Sequence, residues 1–91
     1  MFKYRITVFT PTFNRAYIIG KLYISLCQQS FKHFEWLVVD DGSEDNTDEM
    51  FHKWGEEANF AIRYYKTQNG GKHRAINKGL DLAEGEIFFT V

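Results

Sequence analysis

Apolar and polar positions in this chain fall into short blocks whose period switches repeatedly between strand-like and helix-like spacing. Arg5-Ile6-Thr7-Val8-Phe9-Thr10 is β-branched and aromatic and predicts a strand, which Pro11 stops. Ile18, Leu22 and Leu26 then recur at helical spacing, with Ile19, Tyr23 and Cys27 one position round. A helix is expected over Arg15 to Gln29, with Asn14 as its N-cap. Ser30 to Phe34 turns the chain, and Glu35 to Asp40 reads as a second strand. Within it Trp36-Leu37-Val38-Val39 shows no alternation, which suits a strand buried on both faces. Asn46 with Glu49 opens a second helix over Thr47 to Glu57, whose inward stripe is Met50, Phe51, Trp54 and Ala58. Ala61 to Lys66 is a more amphipathic strand, suited to a sheet edge, and Gln68-Asn69-Gly70-Gly71 is a loop by composition. A third helix, Lys72 to Ala83, carries Ala75, Ile76, Gly79, Leu80 and Ala83 on one stripe. Gly85 stands where a left-handed C′ cap belongs, and Glu86 to Val91 is a fourth strand.

The order βαβαβαβ predicts an α/β fold. Right-handed crossovers require an open parallel sheet with helices on both faces. The 91 residues make one domain at most, and 44% hydrophobic with 18% aromatic content supplies a core. Because the last strand meets the chain end without a following turn, the sequence is expected to be a truncated piece of a longer protein.

Composition removes several function classes. The 11 Lys+Arg against 12 Asp+Glu leave no basic excess, which argues against a nucleic-acid binder. Cys27 has no internal partner and is expected as a buried free thiol in a reducing compartment. No apolar run approaches the ~20 residues that span a bilayer. Met1 to Arg5 enters a strand directly, without signal-peptide character, so a cytoplasmic location is expected.

Three strand-to-helix loops should gather at the carboxyl edge of such a sheet: Thr10 to Arg15, Asp40 to Asn46, and Thr67 to Arg74. The first contains no glycine, so it lacks the dinucleotide fingerprint. Gly70-Gly71-Lys72 lacks both the upstream glycine and the Ser or Thr of a phosphate-binding P-loop. A different site remains. The Asp41 carboxylate can accept a hydrogen bond from a base imide N–H, which separates uracil or thymine from cytosine, although a guanine N–H could also be read. Phe13 can offer its ring to a base, while Thr10 and Thr12 supply hydroxyls or backbone groups. Gly70 and Gly71 permit close backbone approach, and the following helix points its positive end at a phosphate, with Lys72, His73, Arg74 and Lys78 as donors. Plainer readings compete. Asp40-Asp41-Gly42-Ser43 can be turn chemistry alone, and Asp45 and Asp48 suit a helix start. Lys72, Arg74 and Lys78 can be a solvated face, and Trp36 and Trp54 are core by position. Asn77 either bonds to the first loop or is exposed.

In order and spacing, three blocks resemble the amino-terminal half of a family 2 glycosyltransferase domain. They are Ile6 to Arg15, Glu35 to Asp45 and Asn69 to Gly79, and the resemblance spans essentially the whole chain. It implies the GT-A fold, a Rossmann-like sheet that binds a nucleoside-diphosphate sugar, and inverting transfer to an acceptor hydroxyl. It also implies that Pro11 and Phe13 line the nucleoside pocket, that Asp41 reads the base, and that Asp40 supports the turn. Gly71 and Lys72 would lie against the nucleotide, with Asn77 as a buttress. His73 and Ile76 depart from the family pattern, where Ser or Pro and Arg are common.

In that family the fourth strand leads into an Asp-x-Asp motif holding Mg²⁺ or Mn²⁺, and the general base lies further on. Neither is present here, so neither Asp40 nor Asp41 is assigned those roles. These residues alone are expected to be catalytically silent, to bind no metal, to bind nucleotide weakly if at all and to self-associate, while a full-length protein could associate with a membrane. The competing reading is a non-catalytic α/β regulatory module of receiver type. Receivers also pair acids at a strand end, but after the first strand rather than the second.

Overall fold

The computed structural model describes residues 3–68 and 72–91. Its elements are β1 (Tyr4–Thr12), α1 (Ala16–Cys27), β2 (Phe34–Asp40), α2 (Thr47–Glu57), β3 (Ala61–Lys66), α3 (Lys72–Leu82) and β4 (Gly85–Thr90), the expected alternation. All strand pairings are parallel, in the order β3-β2-β1-β4. Amphipathic β3 is an edge strand, as its sequence predicts, and the winding reverses between β1 and β4. A flavodoxin-like order, the one a receiver uses, would set β3 beside β1. The receiver-like alternative therefore fails on topology.

Every residue of β2 is buried, because helices cover both of its faces. On one face Phe34, Trp36 and Val38 pack with Ile19, Tyr23 and Leu26 of α1 and with Phe51 and Trp54 of α2. On the other, Leu37 and Val39 join Phe9, with Ile76 and Leu82 of α3 packed against them. The first core is aromatic: Tyr23 stacks on Trp54 at 4.3 Å and Phe51 on Tyr64 at 4.6 Å. Both tryptophans are core residues. Cys27 is free and half-buried rather than buried.

One polar group interrupts the second core. The Glu35 carboxylate is fully buried and accepts hydrogen bonds from the Thr7 hydroxyl at 2.6 Å, the Glu84 amide at 2.6 Å and Arg63 Nη1 at 2.8 Å. Arg63 also donates to the Leu82 carbonyl at 2.7 Å. Burial works to lower the Arg63 pKa, but its bonds to Glu35 and Tyr65 outweigh that effect and the net direction is up. A buried carboxylate is tolerated when its lone pairs are filled in this way. The cluster fastens the link between α3 and β4 to β1 and β3.

Several details differ from expectation. Pro11 does not stop β1, which runs on to Thr12 with Pro11 opposite Val39. Residues alternate sides along a strand: Thr12 O accepts the Asp41 amide on the β2 side, and Phe9 O accepts the Val91 amide on the β4 side. Pro11 faces the β4 side beyond the last β1–β4 pair, Phe9 with Thr90, so its missing N–H breaks no ladder bond. Gly85 is not a left-handed cap. It lies in β4, where an added Cβ would fall 2.3 Å from the Thr7 nitrogen, so the requirement there is steric. On the α3 stripe Gly79 is buried, but Leu80 is exposed. Ile18 is exposed, leaving Ile19, Tyr23 and Leu26 as the inward line of α1. Among the described residues no helix is long and apolar enough to cross a membrane.

Candidate functional site

At the carboxyl edge β1 and β2 are paired through Thr12 and Asp40, and on the other side of β1 the Val91 amide donates to Phe9 O at 2.8 Å. A crevice of about 600 Å³ lies at this edge, where the winding reverses. Thr10, Pro11, Thr12 and Phe13 from the first loop border it, Asp41 comes from the second, and Arg15 and Ile18 come from the start of α1. Five of the expected nucleotide residues therefore meet in one place.

Asp40 is not on that surface. It is fully buried, with Oδ1 accepting the Ser43 amide at 2.8 Å and Oδ2 accepting the Tyr64 hydroxyl. Its carbonyl accepts the Thr67 amide at 2.7 Å. Gly42 follows with φ of 83°, a conformation that a Cβ would strain. The acid pair thus divides by position: Asp40 builds the turn, and Asp41, whose amide is held by Thr12 O at 2.9 Å, borders the crevice. Burial pushes the Tyr64 phenol pKa upward, and the bond to Asp40 adds to it.

The two threonines also differ. Thr10 Oγ1 accepts the Trp36 indole N–H at 3.0 Å, so its hydroxyl is engaged from below. Thr12 Oγ1 is buried at the crevice wall and has no hydrogen-bond partner among the described residues. Phe13 stands at the mouth, 40% exposed.

The first two loops are fastened together. Asn14, expected as the α1 cap, instead adopts φ of 52°, and Arg15 occupies the cap position without a side-chain bond. The Asn14 amide donates to Ser43 Oγ at 2.8 Å, and Asn14 Oδ1 accepts the Glu44 amide at 2.7 Å. The cap of α1 comes from the other loop: Asp45 Oδ2 accepts the Ala16 amide at 3.2 Å. Asp45 Oδ1 accepts the Thr47 amide and hydroxyl at 3.1 and 2.5 Å, so one carboxylate serves two helix starts. Hydrogen bonding from the Thr47 side chain is the chief cause holding the Asp45 pKa below its ordinary value.

Gly70 and Gly71 lie outside the described residues, as do the side chains of Lys72, His73 and Arg74. Asn77 and Lys78 are exposed on α3. Sequence reasoning left out Arg15, which borders the crevice, and Tyr64, which anchors Asp40 from a neighbouring strand. Arg15 could have been found by counting cations in the first loop. Tyr64 could not, since only sheet register brings it beside Asp40. Among the described residues no cluster of three or more His, Cys, Asp or Glu is placed to hold a metal ion. Asp40 is committed to the turn through both carboxylate oxygens.

Comparison with known proteins agrees with this geometry. The sequence model for glycosyl transferase family 2 matches residues 7–91. The chain is 35% identical over 89 residues to the poly(ribitol-phosphate) β-N-acetylglucosaminyltransferase TarS of Staphylococcus aureus, covering 96% of this chain and 16% of that protein. The crystal structure of TarS residues 1–349 in complex with UDP-GlcNAc superposes with a TM-score of 0.77 at 34% identity, covering 94% of this chain and 26% of that one. The mannosyltransferase PcManGT of Pyrobaculum calidifontis, in complex with GDP-Man and Mn²⁺, gives a TM-score of 0.83 at 32% identity, covering 97% and 27%. The sheet is thus the Rossmann-like portion of a GT-A fold. The chain spans between 12% and 28% of the length of the curated relatives it matches.

Proposed function

This chain belongs to glycosyl transferase family 2, and we propose that its crevice holds the nucleoside of a nucleoside-diphosphate sugar, a UDP-sugar before others. The observation that carries this reading is the meeting of Asp41 and Phe13 at one crevice. A carboxylate there accepts the imide N–H of uracil beside an aromatic ring that faces the base. Arg15 supplies positive charge toward the diphosphate, and the buried Thr12 hydroxyl gains the partner it lacks among the described residues. Gly71 and Lys72 of the third loop are proposed to lie against the nucleotide as well. The UDP-GlcNAc and UDP complexes of TarS support uridine. The GDP-Man complex of PcManGT makes guanosine the nearest competitor.

The parent protein, on this reading, is an inverting glycosyltransferase of the cytoplasm or its membrane face. These 91 residues are one domain portion, the amino-terminal half of its catalytic domain. Inversion needs a base to activate the acceptor hydroxyl, and a divalent cation, Mg²⁺ or Mn²⁺, steadies the leaving diphosphate when bound. Alone the chain binds nucleotide without transferring sugar. Exposed Ile18, Phe89 and Val91 dispose it to self-associate.

The test is a titration followed by amide resonances. UDP should shift Phe13, Asp41 and Gly71 more than ADP does. An equal response, or none, removes the nucleotide reading, and a larger response to GDP moves the assignment to guanosine.

A further inference from the structure

The bonds between the first two loops have a use beyond holding the fold. Asn14 directly follows Phe13, and Ser43 stands two residues after Asp41. The pair of bonds joining Asn14 to Ser43 and Glu44 therefore spans the two residues proposed to flank the base. We propose that Asn14 is a positioning residue for the nucleotide: it fixes the separation of Phe13 and Asp41 so that the base slot exists before ligand arrives. The inference rests on the nucleotide reading above and assigns one residue a part in its affinity.

The geometry is specific to this residue type. At φ of 52° most side chains are strained, and asparagine is among the few that visit this region readily. In that conformation its own amide points at Ser43 Oγ (2.8 Å) while its side-chain oxygen meets the Glu44 amide (2.7 Å). Both contacts are with the turn that carries Asp41, and neither is with α1, which Asn14 was expected to cap. Ser43 is itself buried and tied through its amide to Asp40, so the far end of the bridge does not move. Glycine would keep the backbone conformation and lose the side-chain acceptor. Aspartate would keep both, and Ser43→Ala would remove the other bond, the one its hydroxyl accepts from the Asn14 amide. A slot set in advance spares the ligand the cost of ordering two loops.

The experiment measures UDP affinity, thermal unfolding and exchange of the Glu44 amide for this chain and for Asn14→Gly, Asn14→Asp and Ser43→Ala. Asn14→Gly and Ser43→Ala should each weaken UDP binding by roughly 3- to 10-fold, the worth of the one hydrogen bond each removes, while Asn14→Asp stays within about twofold. Glu44 is exposed, so its amide is protected chiefly by Asn14. That protection should vanish in Asn14→Gly and persist in Asn14→Asp. If the unsubstituted chain binds UDP and Asn14→Gly binds it equally well, the positioning role is wrong while the nucleotide reading stands. If the unsubstituted chain binds no UDP, the nucleotide reading falls and the positioning role falls with it. Should Asn14→Gly fail to fold, Ser43→Ala decides the question, and unchanged affinity there overturns the proposal.

Discussion

Tyr64 of β3 donates its phenolic hydrogen to Oδ2 of Asp40, the residue that ends β2. The same carboxylate accepts the Ser43 amide through Oδ1, so a tyrosine on the edge strand braces the turn that presents Asp41. Tyr64→Phe preserves the stack on Phe51 and deletes only the hydroxyl. A buried carboxylate then loses a partner, and unfolding by denaturant should show a loss of about 1.5–3 kcal/mol. A change inside ~0.5 kcal/mol would mean that the bond contributes nothing net.

Asp41 is assigned to binding rather than to chemistry. Removing a charged acceptor from a base N–H costs roughly 10- to 100-fold in affinity. Asp41→Ala should weaken UDP by that order in calorimetry on this chain. In a full-length enzyme it should raise KM chiefly and leave kcat nearly unchanged. A large fall in kcat at constant KM would return Asp41 to the reaction itself.

Asp45 gives the site an acid limit. Its pKa in the folded chain lies below the ordinary 3.8, chiefly through Thr47, so the unfolded chain binds the proton more readily. The stability it contributes is complete above 3.8 and is lost as pH falls through the lower folded value. Stability measured from pH 5 downward should fall less steeply in Asp45→Asn than in the unsubstituted chain. Parallel slopes would show that the carboxylate is not coupled to folding.

Two glycines are required for space, and they should not be equally costly to replace. A Cβ at Gly79 would meet the buried Phe9 ring at 2.2 Å, and one at Gly85 would meet the Thr7 backbone nitrogen at 2.3 Å. A ring can shift and alanine favours the helix around position 79 by about 1 kcal/mol, whereas sheet backbone at position 85 yields less. Gly85→Ala should therefore destabilise more than Gly79→Ala in matched thermal melts. The reverse order would mean that β4 separates from β1 more easily than Phe9 moves.

The alternation of strands and helices was legible because each element carries its own period, and the unbroken run Trp36 to Val39 marked the central strand. The candidate site was legible only in its local parts: Phe13, Asp41 and the first-loop residues border one crevice at the carboxyl edge, as the strand order alone requires. What escaped depended on neighbours distant in sequence. Asn14 looked like a cap because it precedes a helix, but its partners are about thirty residues away. Gly85 looked like a conformational glycine because it follows a helix, but the constraint is the opposing strand. The Asp40 and Glu35 networks need the register of β2 with β1 and β3 before any partner can be named.

Pro11 has a consequence for the rim of the sheet. On its β4 side, β1 offers a carbonyl at Pro11 but no amide proton. An extended segment arriving there can donate to the rim and receives nothing back at that position. A one-sided position of this kind is a poor template for pairing. The residue that first reads as the end of a strand instead limits, from within β1, how far a neighbour can ladder along the crevice wall.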